Sequence, residues 1–235
     1  GKGPLGPWRD TAFRIMGRAV QVLQLRFFLD WHYVTGEYPG PRPIYFPPLG
    51  DYGTTPIQIV SGGPDTRWNP IKEGYIKLIN SARRSVYIQT PYFIPDDSVT
   101  DALRIAALSG VDVRVMIPCK PDHPFVYWAS LSFVGDLLDA GVRVYTYDDG
   151  FLHAKTIVVD GKVGSVGSAN WDVRSFRLNF EANAFFYDAT VGAELARAFE
   201  KDLTLSTEIT LDSYRSRPLW IRVKESISRL FSPLG

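Results

Sequence analysis

Leu152-His153-Ala154-Lys155-Thr156-Ile157-Val158-Val159-Asp160-Gly161-Lys162-Val163-Gly164-Ser165-Val166-Gly167-Ser168-Ala169-Asn170 joins an apolar strand, a turn and a glycine-loosened return in one short stretch. Read as a strand over 152–159, its alternation places His153 and Lys155 on one face, one pleat apart. Asp160-Gly161 is a hairpin signal, and Val163 to Val166 reads as the small, flat returning strand. A two-residue loop at 160–161 or at 161–162 sets His153 opposite Ser168 or Asn170. In either register the run Gly167-Ser168-Ala169-Asn170 folds back onto His153 and Lys155.

This set of groups suits a tetrahedral anion. A neutral imidazole attacks phosphorus or transfers a proton, and an ammonium neutralises non-bridging oxygens. Ser168, Asn170 and backbone N–H groups freed by glycine donate hydrogen bonds to the same oxygens. No metal is expected, because His32 and His123 are distant in sequence and no carboxylate-rich cluster surrounds His153; no organic cofactor is expected either. Asp160 either caps the hairpin or pairs with Lys155. Two glycines and a lysine on the buried side weaken a strand, and local rules are broken most often at functional sites.

Outward from this hairpin, Arg84–Gln89, Val111–Ile117 and Val142–Tyr147 are β-branched alternating runs that read as strands. Asn69–Ala82, Asp96–Ser109 and Ser130–Ala140 show helical spacing, the last two ended by Gly110 and Gly141. Strands alternating with helices predict an α/β domain with a largely parallel sheet. Further upstream, Thr11–Ile15 alternates like a strand and Arg18–Trp31 has a helical apolar face; the same order returns at Ala182–Tyr187 and Gly192–Asp202. A shift of 172 residues superimposes Phe13 on Phe185, Leu23 on Leu195, Phe27 on Phe199 and Asp30 on Asp202, which reads as an internal duplication. The expected organisation is therefore the end of a first repeat over 1–35 and a Pro/Gly-rich linker over 36–55. A complete repeat over 56–212 and a basic amphipathic segment over 213–235 follow.

Composition narrows the partners. The 235 residues carry 26 basic and 25 acidic side chains, but the ends are basic and the middle is acidic. An acidic body argues against nucleic acid, whose binders show a broad basic footprint. The one cysteine, Cys119, cannot form an internal disulfide. No apolar run approaches the ~20 residues that span a bilayer. The chain opens Gly1-Lys2-Gly3 and reads as part of something longer. In the tail, Trp220, Val223, Ile227, Leu230 and Phe231 share one helical side flanked by Arg222 and Arg229, which suits either an interfacial helix on anionic lipid or a helix docked on its own domain.

The run His153-X-Lys155-X4-Asp160-X6-Gly167-Ser168-X-Asn170 resembles the signature of the phospholipase D superfamily. Gly150-Phe-Leu-His-Ala-Lys155, the stretch Asn170 to Glu181, Gln89-Thr-Pro-Tyr-Phe-Ile-Pro-Asp96 and Trp8-Arg-Asp-Thr11 are similar to the second catalytic half of bacterial cardiolipin synthases. The resemblance implies a mixed, largely parallel sheet flanked by helices, and one of two facing histidines at His153. One such histidine forms a phosphohistidine and the other protonates the leaving alcohol. It further implies that Lys155 and Asn170 grip phosphoryl oxygens with Ser168 beside them. Glu181 matches the carboxylate that holds an imidazole, with Asp10 as its counterpart in the first half. Trp171, where those enzymes often have methionine, is expected to shape a pocket wall. The implied reaction condenses two phosphatidylglycerols to cardiolipin and glycerol at a bacterial inner membrane, on an anionic surface. A phospholipase D or other phosphodiesterase, and a non-catalytic half-domain binding anionic phospholipid, are the alternatives. A first signature is absent from residues 1–152, so the chain holds half a site, completed by an upstream half or by a second copy in a homodimer.

Overall fold

The computed structural model describes residues 5–50, 52–120 and 122–231. Residues 1–4 of the expected first segment, 51 of the linker and 232–235 of the tail lie outside them. In chain order the elements are β1 (Trp8–Arg9), α1 (Arg18–Thr35), β2 (Ile57–Gly62), α2 (Pro70–Ser81), β3 (Ser85–Gln89), β4 (Phe93–Ile94) and α3 (Asp97–Leu108). Then come β5 (Asp112–Pro118), α4 (Pro124–Asp139), β6 (Arg143–Tyr147), β7 (Phe151–Leu152), β8 (Thr156–Val159), β9 (Val163–Gly167), β10 (Trp171–Asp172) and α5 (Val173–Arg177). The chain continues through β11 (Glu181–Tyr187), α6 (Ala189–Leu203), β12 (Ser206–Ile209), α7 (Leu211–Arg215) and α8 (Leu219–Phe231).

Eight strands form one sheet in the order β12-β6-β5-β3-β8-β9-β11-β2. The domain is α/β with a mixed sheet, as expected, but its parallel part is confined to β3, β5 and β6. Those strands are joined by the crossover helices α3 and α4, which parallel pairing requires. The remaining neighbours are antiparallel. β8 and β9 form a tight hairpin, and hairpins cannot be parallel.

Alternation along β3 shows how the two faces are filled. Val86 and Ile88 enter a core with Ile71, Tyr75, Leu103 and Leu137 from α2, α3 and α4, while Tyr87 faces the other way and stacks on Phe199 of α6 at 4.8 Å. Helices therefore cover both faces. Asp96 caps α3 through the Val99 N–H at 3.2 Å, and Asp188 caps α6 through Thr190 and Val191.

Three expectations change. Thr11–Ile15 is not a strand, since it crosses the face of the sheet, where Phe13 meets Phe186 edge-on at 5.5 Å; a segment on a sheet face has no strand edge to pair with. The strand of this region is β1, which pairs in parallel with β7. The expected strand 152–159 is divided into β7 and β8, leaving His153–Lys155 outside regular pairing. The hairpin register pairs Thr156 with Val166 and Val159 with Val163, so the loop is the three residues Asp160-Gly161-Lys162 and neither two-residue alternative. Asp160 itself adopts φ 54°, and that left-handed backbone is held by contacts outside the hairpin.

Candidate active site

The loop contact decides the role of Asp160. Its carboxylate accepts the backbone N–H groups of Arg84 at 2.7 Å, Ser85 at 2.9 Å and Arg83 at 3.0 Å, pinning the turn to the start of β3. Burial works to raise its pKa, but these three donors outweigh it and hold the carboxyl below the usual range. Lys155 lies five residues away along an extended strand, roughly 16 Å off. Asp160 is therefore a brace at the turn, and of its two expected roles the pairing with Lys155 does not form. Asp160→Ala should cost about 1–3 kcal/mol in denaturant unfolding, with Asp160→Asn losing less because asparagine tolerates the left-handed backbone. Lost turnover at an unchanged unfolding midpoint would instead place Asp160 in the chemistry.

His153 and Lys155 do come together. The Lys155 Nζ donates to the His153 carbonyl oxygen at 2.6 Å, and the Gly167 N–H donates to the Lys155 carbonyl at 3.3 Å, folding the glycine run back as expected. Gly167 is required there, because a Cβ would stand 2.3 Å from Asn183 Cγ and 2.5 Å from the Ala182 carbonyl oxygen. Asn183, which the sequence reading overlooked, pins this run from the core. It donates to Tyr75 Oη at 2.8 Å and Ser165 Oγ at 3.0 Å, and accepts the Ala169 N–H at 3.3 Å.

The imidazole is oriented by the far end of the chain. His153 Nδ1 lies 2.9 Å from Asp10 Oδ2. A carboxylate only accepts, so Nδ1 carries a proton, and in the neutral imidazole Nε2 keeps its lone pair. Glu181 does not take this place; its carboxylate accepts from Asn179 Nδ2 at 3.2 Å, though it stays close enough to act on Lys155. Asp10 reaches the ring because β1 is anchored next to it. The His153 N–H donates to the Arg9 carbonyl at 2.8 Å. Arg9 in turn forms a two-point pair with the buried Asp202 at 2.9 and 2.8 Å, and Gln89 donates to Asp202 at 2.7 Å. Trp8 lays its ring 4.9 Å from the imidazole centroid.

Lys155 is only 8% exposed, and burial lowers its pKa to about 8 against the opposing pull of Asp10, Glu181, Asp122 and Asp172. Asp122 was not anticipated from the sequence; it accepts a hydrogen bond from Tyr92. Asn170 Oδ1 is buried without a hydrogen-bond partner among the described residues. A half-turn of that amide exchanges its oxygen for its N–H donors, so it has a polar atom free to bond an anion. The Ser168 hydroxyl is already engaged, accepting the Ala182 N–H at 3.0 Å and lying 3.4 Å from the Ala182 carbonyl. Trp171 is fully buried and stacked on Tyr75 at 4.5 Å, a core position in place of the expected pocket wall. No cluster of metal-ligating side chains occurs among the described residues.

A half-open histidine held by a carboxylate, a buried lysine of lowered pKa and an amide with an unpartnered oxygen, on the segments that flank one hairpin, are equipment for phosphoryl chemistry. The family model for the cardiolipin synthase, phospholipase D-like domain matches residues 75–203, and the chain belongs to that family. It is 59% identical to the major cardiolipin synthase ClsA of Bacillus subtilis strain 168, covering 97% of this chain and 48% of that protein. It is 55% identical to the cardiolipin synthase of Staphylococcus aureus strain Mu50, covering 97% and 47%. The chain thus spans about half the length of these relatives, and the matching part is their C-terminal half. Among solved structures, the phosphatidylserine synthase of Haemophilus influenzae Rd KW20 superimposes with a TM-score of 0.61 at 14% identity, over 94% of this chain and 54% of that one. The phospholipase D family member Nuc of Salmonella typhimurium gives 0.57 at 19% identity, over 67% and 99%. At such identities these likenesses speak for the fold.

Proposed function

We propose that this chain supplies one half of the active site of a phosphatidyltransferase that condenses two phosphatidylglycerols into cardiolipin and glycerol. The observation that carries the proposal is the Asp10-held imidazole beside the buried Lys155. With Nδ1 committed to Asp10, Nε2 of His153 is the atom that acts, either as nucleophile on phosphorus or as the proton carrier for a facing histidine.

The bond from phosphorus to the glycerol oxygen breaks, and that oxygen takes a proton as glycerol leaves. The phosphatidyl group stays on one imidazole nitrogen. A hydroxyl of a second phosphatidylglycerol then attacks phosphorus, gives up its proton to the other imidazole, and frees the first. Lys155 and Asn170 hold the non-bridging oxygens, with Ser168 fixing the backbone between them. Glu181, not engaged with His153, is available to the histidine of the completing half.

That completing half is an upstream half or a second copy of the chain. An exposed apolar surface on α1, including Val22, Leu25, Phe27, Leu29 and Val34, supports a packed neighbour there. No helix of the described residues is long and apolar enough to cross a membrane; contact of these residues with the inner membrane is proposed through substrate and surface. The test is mass-spectrometric product analysis after incubation with phosphatidylglycerol in mixed micelles, for this chain alone and for the two-half protein. Cardiolipin with equimolar glycerol is expected from any assembly with both histidines. Phosphatidic acid as the main product would move the reading to a hydrolase. Headgroup binding without turnover in the two-half protein would move it to a binding module.

A further inference from the structure

Most surface helices put their apolar side inward. α8 does the reverse. Its buried side chains are Glu225 and Ser228, both 4% exposed, with Glu225 paired to Arg217 at 2.8 Å. Leu219 is 74% exposed, Trp220 56%, Val223 49%, Ile227 49% and Leu230 78%. At about 100° per residue these five fall within a stripe roughly 100° wide. The Phe231 side chain is outside the described ones.

The stripe has cationic borders. Lys224 lies over the rings of Trp220 at 4.7 Å and Trp128 at 5.5 Å. Neither Lys224 nor Arg222 is ion-paired to a carboxylate among the described residues. Arg229, expected from the sequence to flank the stripe, instead turns back toward α4, 3.4 Å from Asp136. Trp128 is near the start of α4. That helix begins just after Asp122, which acts on Lys155 and accepts from Tyr92. The Trp220 end of the stripe is therefore on the side of the molecule that carries the candidate site.

We propose that the outward face of α8 is an interfacial docking face for anionic bilayers. Leu219, Trp220, Val223, Ile227 and Leu230 enter the headgroup boundary, and Arg222 and Lys224 meet lipid phosphates. The choice of a bilayer over a protein partner follows from unpaired cations beside an unbroken apolar stripe, the arrangement that anionic lipid complements. It rests on the phosphatidyltransferase reading for its purpose, which is to hold the site at headgroup depth.

The experiment is co-sedimentation of the whole chain with vesicles of phosphatidylcholine alone and with about one-third phosphatidylglycerol. The expected result is preference for the anionic vesicles, at least tenfold weaker for the combined Val223→Asn, Ile227→Asn and Leu230→Asn variant. Arg222→Gln with Lys224→Gln should erase most of the anionic preference, and it leaves the apolar stripe intact should the triple variant melt early. Undiminished binding by both variants overturns the proposal, as does failure of the unmodified chain to bind either vesicle. So does a concentration-dependent dimer that the triple variant abolishes, which would give the face to a second copy. Turnover of short-chain, monomeric phosphatidylglycerol by the two-half protein separates the two readings. Its absence removes the reaction but not the vesicle result, and its persistence in an α8 variant that no longer binds vesicles leaves both standing.

Discussion

Replacing Asp10 by asparagine is expected to cost the two-half enzyme ~10³–10⁴ in turnover, nearly as much as His153→Ala. The reason lies in one hydrogen bond. Asp10 Oδ2, 2.9 Å from His153 Nδ1, keeps the ring proton on Nδ1 and the lone pair on Nε2. Asparagine can turn its N–H toward Nδ1, which forces the other tautomer and puts the proton on the nitrogen that must act; that exchange costs about 10⁴ where a catalytic histidine depends on a carboxylate in this way. Because both groups belong to one unit, Asp10→Asn added to His153→Ala should do little further harm. Folding should be nearly unaffected, since the side chains are 35% and 55% exposed and exposed pairs contribute at most about 1 kcal/mol. Single-turnover assays beside thermal melts settle it. Near-full turnover in Asp10→Asn, with collapse in Glu181→Gln, would assign the orienting role to Glu181.

The contrast between Asp10 and Glu181 marks what could be read from the chain. His153 and Lys155 are two residues apart, and their meeting with Gly167 follows from a turn that Asp160-Gly161 announces, so local rules suffice. Asp10 is 143 positions from His153, and nothing in either neighbourhood encodes that they touch. The contact depends on β1 pairing with β7 and on Arg9 finding Asp202 and Gln89 in the core. The family resemblance pointed to Asp10 and Glu181 as counterparts, one residue off the 172-residue repeat, but not to which histidine each one serves. Asp160 was left between two roles for a related reason. Its conformation is set by the amides of Arg83, Arg84 and Ser85, more than seventy residues away, and these stabilise a three-residue loop where local turn preference favours two. Likewise the α-before-β alternation described β3, β5 and β6 well, while β8, β9, β11 and β2, joined without crossover helices between β8 and β9, fell to the antiparallel rule.

Lys155→Met should remove at least ~10³ of turnover while raising the melting temperature by a few degrees. Methionine keeps the length and volume of the lysine stem and fills the same packed space, so the core is preserved. What it removes is a cation that burial penalises, with the His153 carbonyl as its hydrogen-bond acceptor. A stabilisation near 1 kcal/mol corresponds to about 2–4 °C for a chain of this size. The pH dependence follows with its sign. A lysine whose folded pKa is depressed to about 8 from 10.5 binds fewer protons than the unfolded chain does between those values. Stability attributable to Lys155 therefore rises with pH across that window and is lowest below it, where the buried group is charged in both states. Turnover runs the other way, because only the ammonium neutralises phosphoryl oxygens. kcat/KM should fall as pH rises through about 8, and the limb in kcat should lie higher, since a bound phosphate diester favours the charged lysine. In Lys155→Met the stability rise between pH 8 and 10.5 should flatten. If the variant instead melts earlier at every pH, Lys155 is a structural cation held by the four surrounding carboxylates, and its place in phosphate binding falls with that result.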